Sequence, residues 1–144
     1  MDLTGVDPYF NLYSRLWPIY TYHKPSPPAK FVVANEHPED HRVGNALDAI
    51  VSPGCIISGI VRNGVLSTDV TIRSWATVDE SVILDGVTVG RYCKVKKAII
   101  DKYNVIPDNT EIGYHPKEDR ERFTVASRGI VFIPKGYFNE ENLE

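Results

Sequence analysis

The feature that most constrains this chain is an aliphatic pattern that returns every seventeen residues across its middle third. Rows that start at residues 65, 82 and 99 place aliphatic side chains in three columns: Leu66, Ile83 and Ile100; Ile72, Val89 and Ile106; Val78, Val95 and Ile112. Within a row the column positions are six residues apart, and the step from the last column of one row to the first column of the next is five residues. One coil therefore has three sides, and coils must stack because none can bury its aliphatic face alone. The pattern predicts a mainly β fold, a left-handed parallel β-helix with three-sided coils of hexapeptide repeats.

Some positions in the rows depart from this pattern. Asn104 stands at the inward position that valines occupy in the other two rows, so it needs hydrogen-bond partners, such as free carbonyls near the end of the stack. Gly86 and Gly90 are expected at coil corners, where a positive φ or tight packing is needed. Their spacing does not match a phosphate-binding loop, which also requires a lysine.

An antiparallel sandwich of short strands is the alternative fold, and three rows in register argue against it.

The chain before the rows is predicted to be largely irregular. A short helix is expected to end before Pro18, a stiff proline-rich connector to cover residues 23–28, and a strand to cover residues 31–33. Residues 50–56 fit the repeat with Ile56 as the last inward side chain, followed by a longer turn over residues 58–64.

The chain after Gly113 loses the repeat. Residues 114–123 are polar and charged, and they predict a crossover with one helical turn. Residues 129–134 predict a final strand that caps the last coil, where an open edge would otherwise invite aggregation.

Composition excludes several classes of protein. The formal net charge is −3 and no basic stripe is present, so nucleic acid is not expected as a partner. Cys55 and Cys93 lack zinc-site spacing and are expected as buried thiols in a reducing compartment. No signal peptide and no membrane-length apolar run is evident, so we expect a cytoplasmic protein without a membrane partner.

No catalytic or metal-binding constellation is predicted. The histidines lie outside the repeat rows: His23, His37, His41 and His115. A hexapeptide-repeat acyltransferase needs a histidine on a coil as general base, and a carbonic anhydrase of this architecture needs three around a metal ion. His37 and His41 are expected to be solvated loop residues, because Pro38 between them disfavours a metal-binding helix.

Short segments along the whole chain occur in a specific order. They are PYFNLYSRLWPI at 8–19, CIISG at 55–59, AIIDK at 98–102, IP at 106–107, IG at 112–113, EDR at 118–120 and GIV at 129–131. In this order and spacing they resemble the ADP-glucose pyrophosphorylase (glucose-1-phosphate adenylyltransferase) family. The first segment is similar to the stretch that ends the catalytic domain of that family.

The resemblance implies a function in glucan synthesis. The family forms ADP-glucose and pyrophosphate from ATP and glucose 1-phosphate with Mg²⁺, and its catalytic domain carries a Gly-rich nucleotide loop that is absent here. Residues 1–48 would then be a linker and the end of the missing catalytic domain, and residues 49–144 the β-helix domain with its capping strand. The chain would be the regulatory and oligomerisation part, inactive alone and without a cofactor of its own. Its expected partners are the catalytic domain, further copies (a tetramer in the family) and an anionic metabolite effector.

The resemblance also implies an effector site. Lys102 and Lys135 match positions where the family places basic residues for an effector phosphate, which point charges can bind. Arg120 and Arg122 are weaker candidates, expected to pair with the acidic residues beside them. Asn139 stands where some members have a further basic residue. A solvated surface lysine is the alternative at both lysine positions.

Two other functions remain open at this point. The chain could be a stand-alone β-helix scaffold for a separate subunit, or an independent hexapeptide-repeat acyltransferase that uses His115. Phe10, Tyr13 and Trp17 are expected to form an apolar patch that favours self-association.

Overall fold

Strands of two or three residues are the main secondary structure of the described chain. A computed structural model describes residues 11–20, 22–33 and 43–140. The strands are β1 (Lys30–Phe31), β2 (Asn45–Leu47), β3 (Ile50–Val51), β4 (Ile56–Ile57), β5 (Ile60–Arg62), β6 (Val65–Leu66), β7 (Thr71–Ile72), β8 (Thr77–Asp79), β9 (Val82–Ile83), β10 (Thr88–Val89), β11 (Lys94–Lys96), β12 (Ala98–Ile100), β13 (Val105–Ile106), β14 (Glu111–Ile112), β15 (Thr124–Val125) and β16 (Val131–Ile133). Helix α1 covers Pro116–Arg122 and helix α2 covers Tyr137–Glu140. Within the described ranges neither helix is long and apolar enough to cross a bilayer.

The strands form three sheets, and each sheet takes one strand from every coil. The first side has the order β1-β4-β7-β10-β13, the second β2-β5-β8-β11-β14 and the third β3-β6-β9-β12-β16. All neighbours in these orders pair in parallel, and β15 is added antiparallel to β16. The predicted columns are in register, since Leu66 lies opposite Ile83, Ile72 opposite Val89 and Val78 opposite Val95. The parallel β-helix predicted from the repeat is therefore confirmed.

The inward side chains make one continuous core. The three columns from Leu66 to Ile112 are essentially inaccessible to solvent. Cys55 and Cys93 are free and buried, as predicted, and their thiols donate to the carbonyls of Ser67 and Pro107, each at 3.0 Å. Burial raises the pKa of both thiols, because the thiolate would lose its hydration. These cysteines thus act as small core side chains.

The coil corners carry residues with positive φ at the same seventeen-residue period. The three corner series are Asn63, Glu80 and Lys97; Asp69, Gly86 and Tyr103; Trp75, Tyr92 and Asn109. Gly86 has a φ of +68°, as expected for a corner glycine. Gly90 serves tight packing instead, since an added Cβ would lie 2.6 Å from the Ile106 carbonyl oxygen. Both glycine predictions are confirmed.

The coil before the first row is shorter than the repeat predicted. Ile57, which pairs with Ile72, is fully buried, whereas Ile56 is 42% exposed, so the prediction of Ile56 as the inward residue was wrong. The next strand, β5, occupies part of the segment predicted as a turn, and its Val61 pairs with Val78. Ile57 and Val61 are four positions apart, whereas the matching residues Ile72 and Val78 are six positions apart. This coil is therefore two residues shorter than the seventeen-residue period. Gly59 permits the tight corner, because a Cβ there would lie 2.3 Å from the Ala76 carbonyl oxygen.

The region predicted as linker contributes strands to the β-helix. Strands β1 and β2 precede residue 49 and pair with β4 and β5, so the sheets begin within residues 1–48. The strand predicted at 31–33 is partly confirmed, because β1 ends at Phe31 and Val33 forms an isolated bridge with Val43. Phe10, His37 and His41 lie outside the described residues.

The predicted helix before Pro18 is not present in residues 11–20. This segment forms turns and bends, in which the Tyr13 N–H donates to Asn11 Oδ1 at 2.9 Å and the Ser14 N–H to the Asn11 carbonyl at 3.3 Å. Leu16 is 99% exposed, so the segment has no packed face that could support so short a helix.

The far end of the β-helix is closed by the C-terminal segment. Strand β16 pairs in parallel with β12 and completes the third side, which confirms the predicted capping strand. Helix α1 confirms the predicted helical turn in the crossover, and its buried Asp119 accepts the Gly113 N–H at 3.1 Å. Helix α2 adds Phe138, which is 1% exposed and packs against Phe123. Phe123, Tyr137 and Phe138 together form an aromatic plug, which was not predicted from the sequence.

Candidate functional site

Residues at one corner of the β-helix stack into a charged column. This corner column joins the third side to the first and comprises residues 52–54, 67–69, 84–86 and 101–103. Because each coil repeats the last, Asp85 lies one coil from Lys102, and the backbones are linked by the Tyr103 N–H, which donates to the Asp85 carbonyl at 3.0 Å. The Tyr103 ring lies across Gly86, where a Cβ would come within 2.5 Å of the ring. The glycine thus makes room for an aromatic ring in the corner column.

Lys102 points along the corner column toward a carboxylate. Its Nζ lies 3.6 Å from Asp85 Oδ2, and both side chains are about half exposed. The backbone N–H of Lys102 donates to Asp101 Oδ1 at 2.7 Å, which fixes the backbone that carries the lysine. Lys102 is therefore a solvent-accessible cation held by a loose ion pair.

Lys135 reaches the same end of the corner column from the other side. It follows Pro134 after β16, and its Nζ lies 5.4 Å from the centre of the Tyr103 ring, within cation–π range. The structure thus places Lys102 and Lys135, thirty-three residues apart in sequence, beside the same aromatic residue.

Two asparagines hold this arrangement in place. Asn104 is fully buried, and its Nδ2 donates to the carbonyls of Asp101 at 2.9 Å and Pro134 at 2.8 Å. Its Oδ1 accepts the Phe138 N–H at 3.3 Å, so the predicted need of Asn104 for hydrogen-bond partners near the end of the stack is confirmed. Asn139 donates to the Tyr103 carbonyl at 2.8 Å and accepts the N–H of edge residue Val105 at 3.2 Å. In place of a basic residue, this position carries a side chain that pairs an open strand edge.

A cavity of about 480 Å³ opens beside the corner column. Residues 22–24 form one wall, and Asp69, Asp85 and Tyr103 contribute to the other. Lys24 Nζ lies 2.7 Å from Asp69 Oδ2, and this hydrogen bond raises the pKa of Lys24 and lowers the pKa of Asp69. Residue 24 lies in the predicted extended connector, and its contact with Asp69 could not be predicted because the two residues are forty-five positions apart.

The charges around the corner column are balanced. Three lysines (Lys24, Lys102 and Lys135) and three aspartates (Asp69, Asp85 and Asp101) leave a formal net charge of zero. A volume of this size accommodates a small metabolite. Among the described residues no group of three His, Cys, Asp or Glu side chains is arranged to hold a metal ion. Asp85 and Tyr103 line the cavity, and Lys102 and Lys135 lie next to them outside its lining.

The arginines of α1 have other surroundings. The Arg122 guanidinium lies 5.0 Å from the Phe123 ring centre, and its carbonyl accepts the Tyr137 hydroxyl at 3.0 Å. The ion pairs of the described residues include neither Arg120 nor Arg122, so the predicted pairing with adjacent acidic residues is wrong. Asp119 does not pair with these arginines because its carboxylate turns inward and accepts the Gly113 N–H.

His115 belongs to an ion-pair network on the second side. Its Nε2 lies 2.6 Å from Glu111 Oε2, and Lys94 Nζ lies 3.1 Å from Glu111 Oε1. The hydrogen bond raises the pKa of His115 and lowers the pKa of Glu111. His115 is exposed, so these contacts assign it to a surface network and give no support to an acyltransferase base.

The three-sided coils and their periodic corners define a hexapeptide-repeat β-helix protein. Residues 27–133 match the family model described as GlmU-like, C-terminal hexapeptide, and the chain belongs to this family.

Individual relatives with curated names give a more specific comparison than the family model does. The chain is 46% identical over 143 residues to a glucose-1-phosphate adenylyltransferase of Koribacter versatilis (strain Ellin345). This match covers 99% of the chain and 33% of the relative. It is 48% identical over 136 residues to the enzyme of the same name from Anaeromyxobacter sp. (strain Fw109-5), covering 94% of this chain and 33% of the relative. A relative of that name from Methylococcus capsulatus is 48% identical over 134 residues, and the match covers 92% of this chain and 31% of the relative. The resemblance inferred from the ordered segments is thus confirmed, and the chain spans about a third of the length of these relatives.

Proposed function

We propose that this chain is the regulatory and assembly module of a glucose-1-phosphate adenylyltransferase. The whole enzyme would convert ATP and glucose 1-phosphate into ADP-glucose and pyrophosphate for glycogen or starch synthesis. Identity of 46–48% to relatives of that name supports this proposal. The module would supply binding and assembly surfaces, while turnover and the Mg²⁺ ion would belong to the catalytic domain.

The observation that carries the regulatory role is the shared position of Lys102 and Lys135 beside Tyr103. Phosphoryl groups are bound by converging cations, and each lysine Nζ is a mobile point charge that reaches solvent. Asn104 ties the backbone of one lysine segment to that of the other, so their separation is set by the fold. We infer that an anionic phosphorylated metabolite binds here as an effector.

Phosphate titration of the full chain, followed by calorimetry or amide chemical shifts, tests the effector site. Lys102→Gln and Lys135→Gln should each weaken binding by about tenfold, because a hydrogen bond to a charged group contributes about 1.5 kcal/mol. Lys97→Gln is the matched control, because Lys97 is also half exposed and lies 3.9 Å from a carboxylate oxygen of Glu80 at a different corner. Equal weakening in all three variants would indicate nonspecific charge and would contradict the site.

An exposed apolar segment supports the assembly role. Leu16 and Trp17 are 99% and 72% exposed, and Tyr13 beside them is also largely exposed. Apolar side chains concentrated in this way are typical of surfaces that contact another protein surface. We infer that this segment packs against the catalytic domain, and that the module also contributes to a homo-oligomer.

The catalytic assignment has a direct test. The pure chain, incubated with ATP, glucose 1-phosphate and Mg²⁺, should form no ADP-glucose above a protein-free control. Turnover that co-purifies with the chain and depends on its residues would contradict the proposal.

A further inference from the structure

We propose that Asp85 lowers the affinity of the effector site, because it is a built-in counter-ion that a bound anion must displace from Lys102. This inference rests on the proposed function, since it concerns the same site. It assigns a role to a carboxylate that faces the candidate cations and is not itself an effector ligand.

The fold itself places Asp85 against Lys102. The two residues are seventeen positions apart, so they occupy equivalent places on adjacent coils, which are separated by about one strand spacing of ~4.8 Å. The backbone hydrogen bond from the Tyr103 N–H to the Asp85 carbonyl holds the two corners together. The carboxylate therefore stays within reach of Lys102 whether or not a ligand is present.

The pair is loose enough to be displaced. Its separation of 3.6 Å exceeds the distance of a charge-assisted hydrogen bond, ~2.8 Å, and both side chains are about half exposed. The neighbouring pair between Lys24 and Asp69 is tight, at 2.7 Å. Of these two ion pairs, the one between Lys102 and Asp85 thus offers the weaker resistance to an incoming anion.

The cost of displacing Asp85 from Lys102 is the same for every anion, so it lowers the affinity for all of them by the same factor. The carboxylate stays close to the site and also repels the ligand, and this repulsion grows with ligand charge. A phosphoryl group carries nearly two negative charges at neutral pH, so the repulsion weakens its binding more than that of a monoanion such as acetate.

Inorganic phosphate and acetate, titrated into the full chain at constant ionic strength and neutral pH, provide the test. Asp85→Asn should tighten phosphate binding by about two- to fivefold, the amount expected when a half-exposed ion pair no longer competes. It should tighten acetate binding by an equal or smaller factor, because the displacement cost is common to both anions and the carboxylate repels a monoanion less; a larger factor for acetate would contradict the displacement of a counter-ion. Asp85→Ser serves as a second neutral variant in case the asparagine makes new hydrogen bonds.

Glu80→Gln is the matched control. Glu80 also lies at a coil corner, is about half exposed, and sits 3.9 Å from Lys97, so its neutralisation changes the net charge equally. Its affinity for both anions should equal that of the wild type. Unchanged or weaker phosphate binding in both Asp85 variants would overturn the inference, as would equal tightening in Glu80→Gln. If phosphate fails to bind the wild type, or Lys102→Gln binds as well as the wild type, the effector site itself is wrong and this inference fails with it.

Discussion

Asn104 is hydrogen-bonded to the carbonyl of Pro134 at 2.8 Å, across thirty residues of sequence. Through this bond a buried amide on the last full coil holds the segment that follows the capping strand. The two lysines of the proposed effector site stand on either side of this bond, so the site depends on it for its geometry.

Replacing Asn104 should therefore affect both stability and binding. Asn104→Val restores the residue type found at this position in the two preceding coils, but it removes the hydrogen bonds of Asn104 with the Asp101 and Pro134 carbonyls and with the Phe138 N–H. We expect a loss of about 2 kcal/mol in the free energy of unfolding, measured by urea denaturation, together with weaker phosphate binding. Wild-type stability in this variant would show that the hydrogen bonds of Asn104 contribute little.

The shortened coil makes a second prediction. Gly59→Ala should lower the free energy of unfolding by about 3 kcal/mol, since the new methyl group meets the Ala76 carbonyl oxygen at 2.3 Å and must displace a neighbouring coil. Gly129→Ala separates this clash from backbone strain, because Gly129 has a φ of +78° and open space around its Cα. That variant should lose only about 1 kcal/mol. Equal losses in the two variants would argue against the clash.

The aromatic plug at the C-terminal end gives a third prediction. Phe138→Ala should cost about 3–5 kcal/mol, since the ring is buried against Phe123 and Tyr137 at centroid distances of 6.1 Å and 5.1 Å. The exposed end of the last coil should also promote association, measured as increased light scattering. Phe132→Ala is the control, because Phe132 is 40% exposed on the outer face of β16, and it should change both quantities much less.

The network of His115 and Glu111 predicts a dependence of stability on pH. The pKa of His115 is raised above its usual 6.5, so its contribution is complete below pH 6.5 and is lost as the pH rises through the raised value. The pKa of Glu111 is lowered from its usual 4.5, so its contribution is present above pH 4.5 and is lost as the pH falls through the lowered value. The two contributions overlap between about pH 4.5 and 6.5.

His115→Gln should accordingly lower the midpoint of thermal unfolding most within that window and least at alkaline pH. Glu118 and Asp119 also face His115 electrostatically and raise its pKa, so the ionic strength should be held constant. His23→Gln is the control, since the ion pairs of the described residues do not include His23. A His115→Gln effect that is the same at pH 5.5 and pH 9 would contradict an ionic origin.

The repeat made most of the fold predictable from sequence. Leu66, Ile83 and Ile100 could be aligned without a structure, because a residue that faces inward in one coil faces inward seventeen positions later as long as the coil length holds. The same logic failed at Ile56, where one coil is two residues shorter. The seventeen-residue step therefore does not align this segment with the rows, and pattern alone did not reveal the shorter corner at Gly59.

The proposed site was less accessible to prediction. Lys102 and Lys135 were selected through family resemblance, and the contact of Lys135 with Tyr103, the residue next to Lys102, appears only in the folded chain. Lys24 and Asp85 carry no motif of their own.

The sequence by itself determined the three-sided coil, its aliphatic columns and the need to satisfy a buried Asn104, because all three follow from periodicity and from the burial of apolar and polar groups. Only the tertiary structure decided which charges meet at the corner column and that Asn139 pairs an open strand edge. The connector that carries Lys24 and the segment that carries Lys135 and Asn139 lie outside the repeat rows, so the geometry of these contacts depends on where the two segments pack against the finished coils.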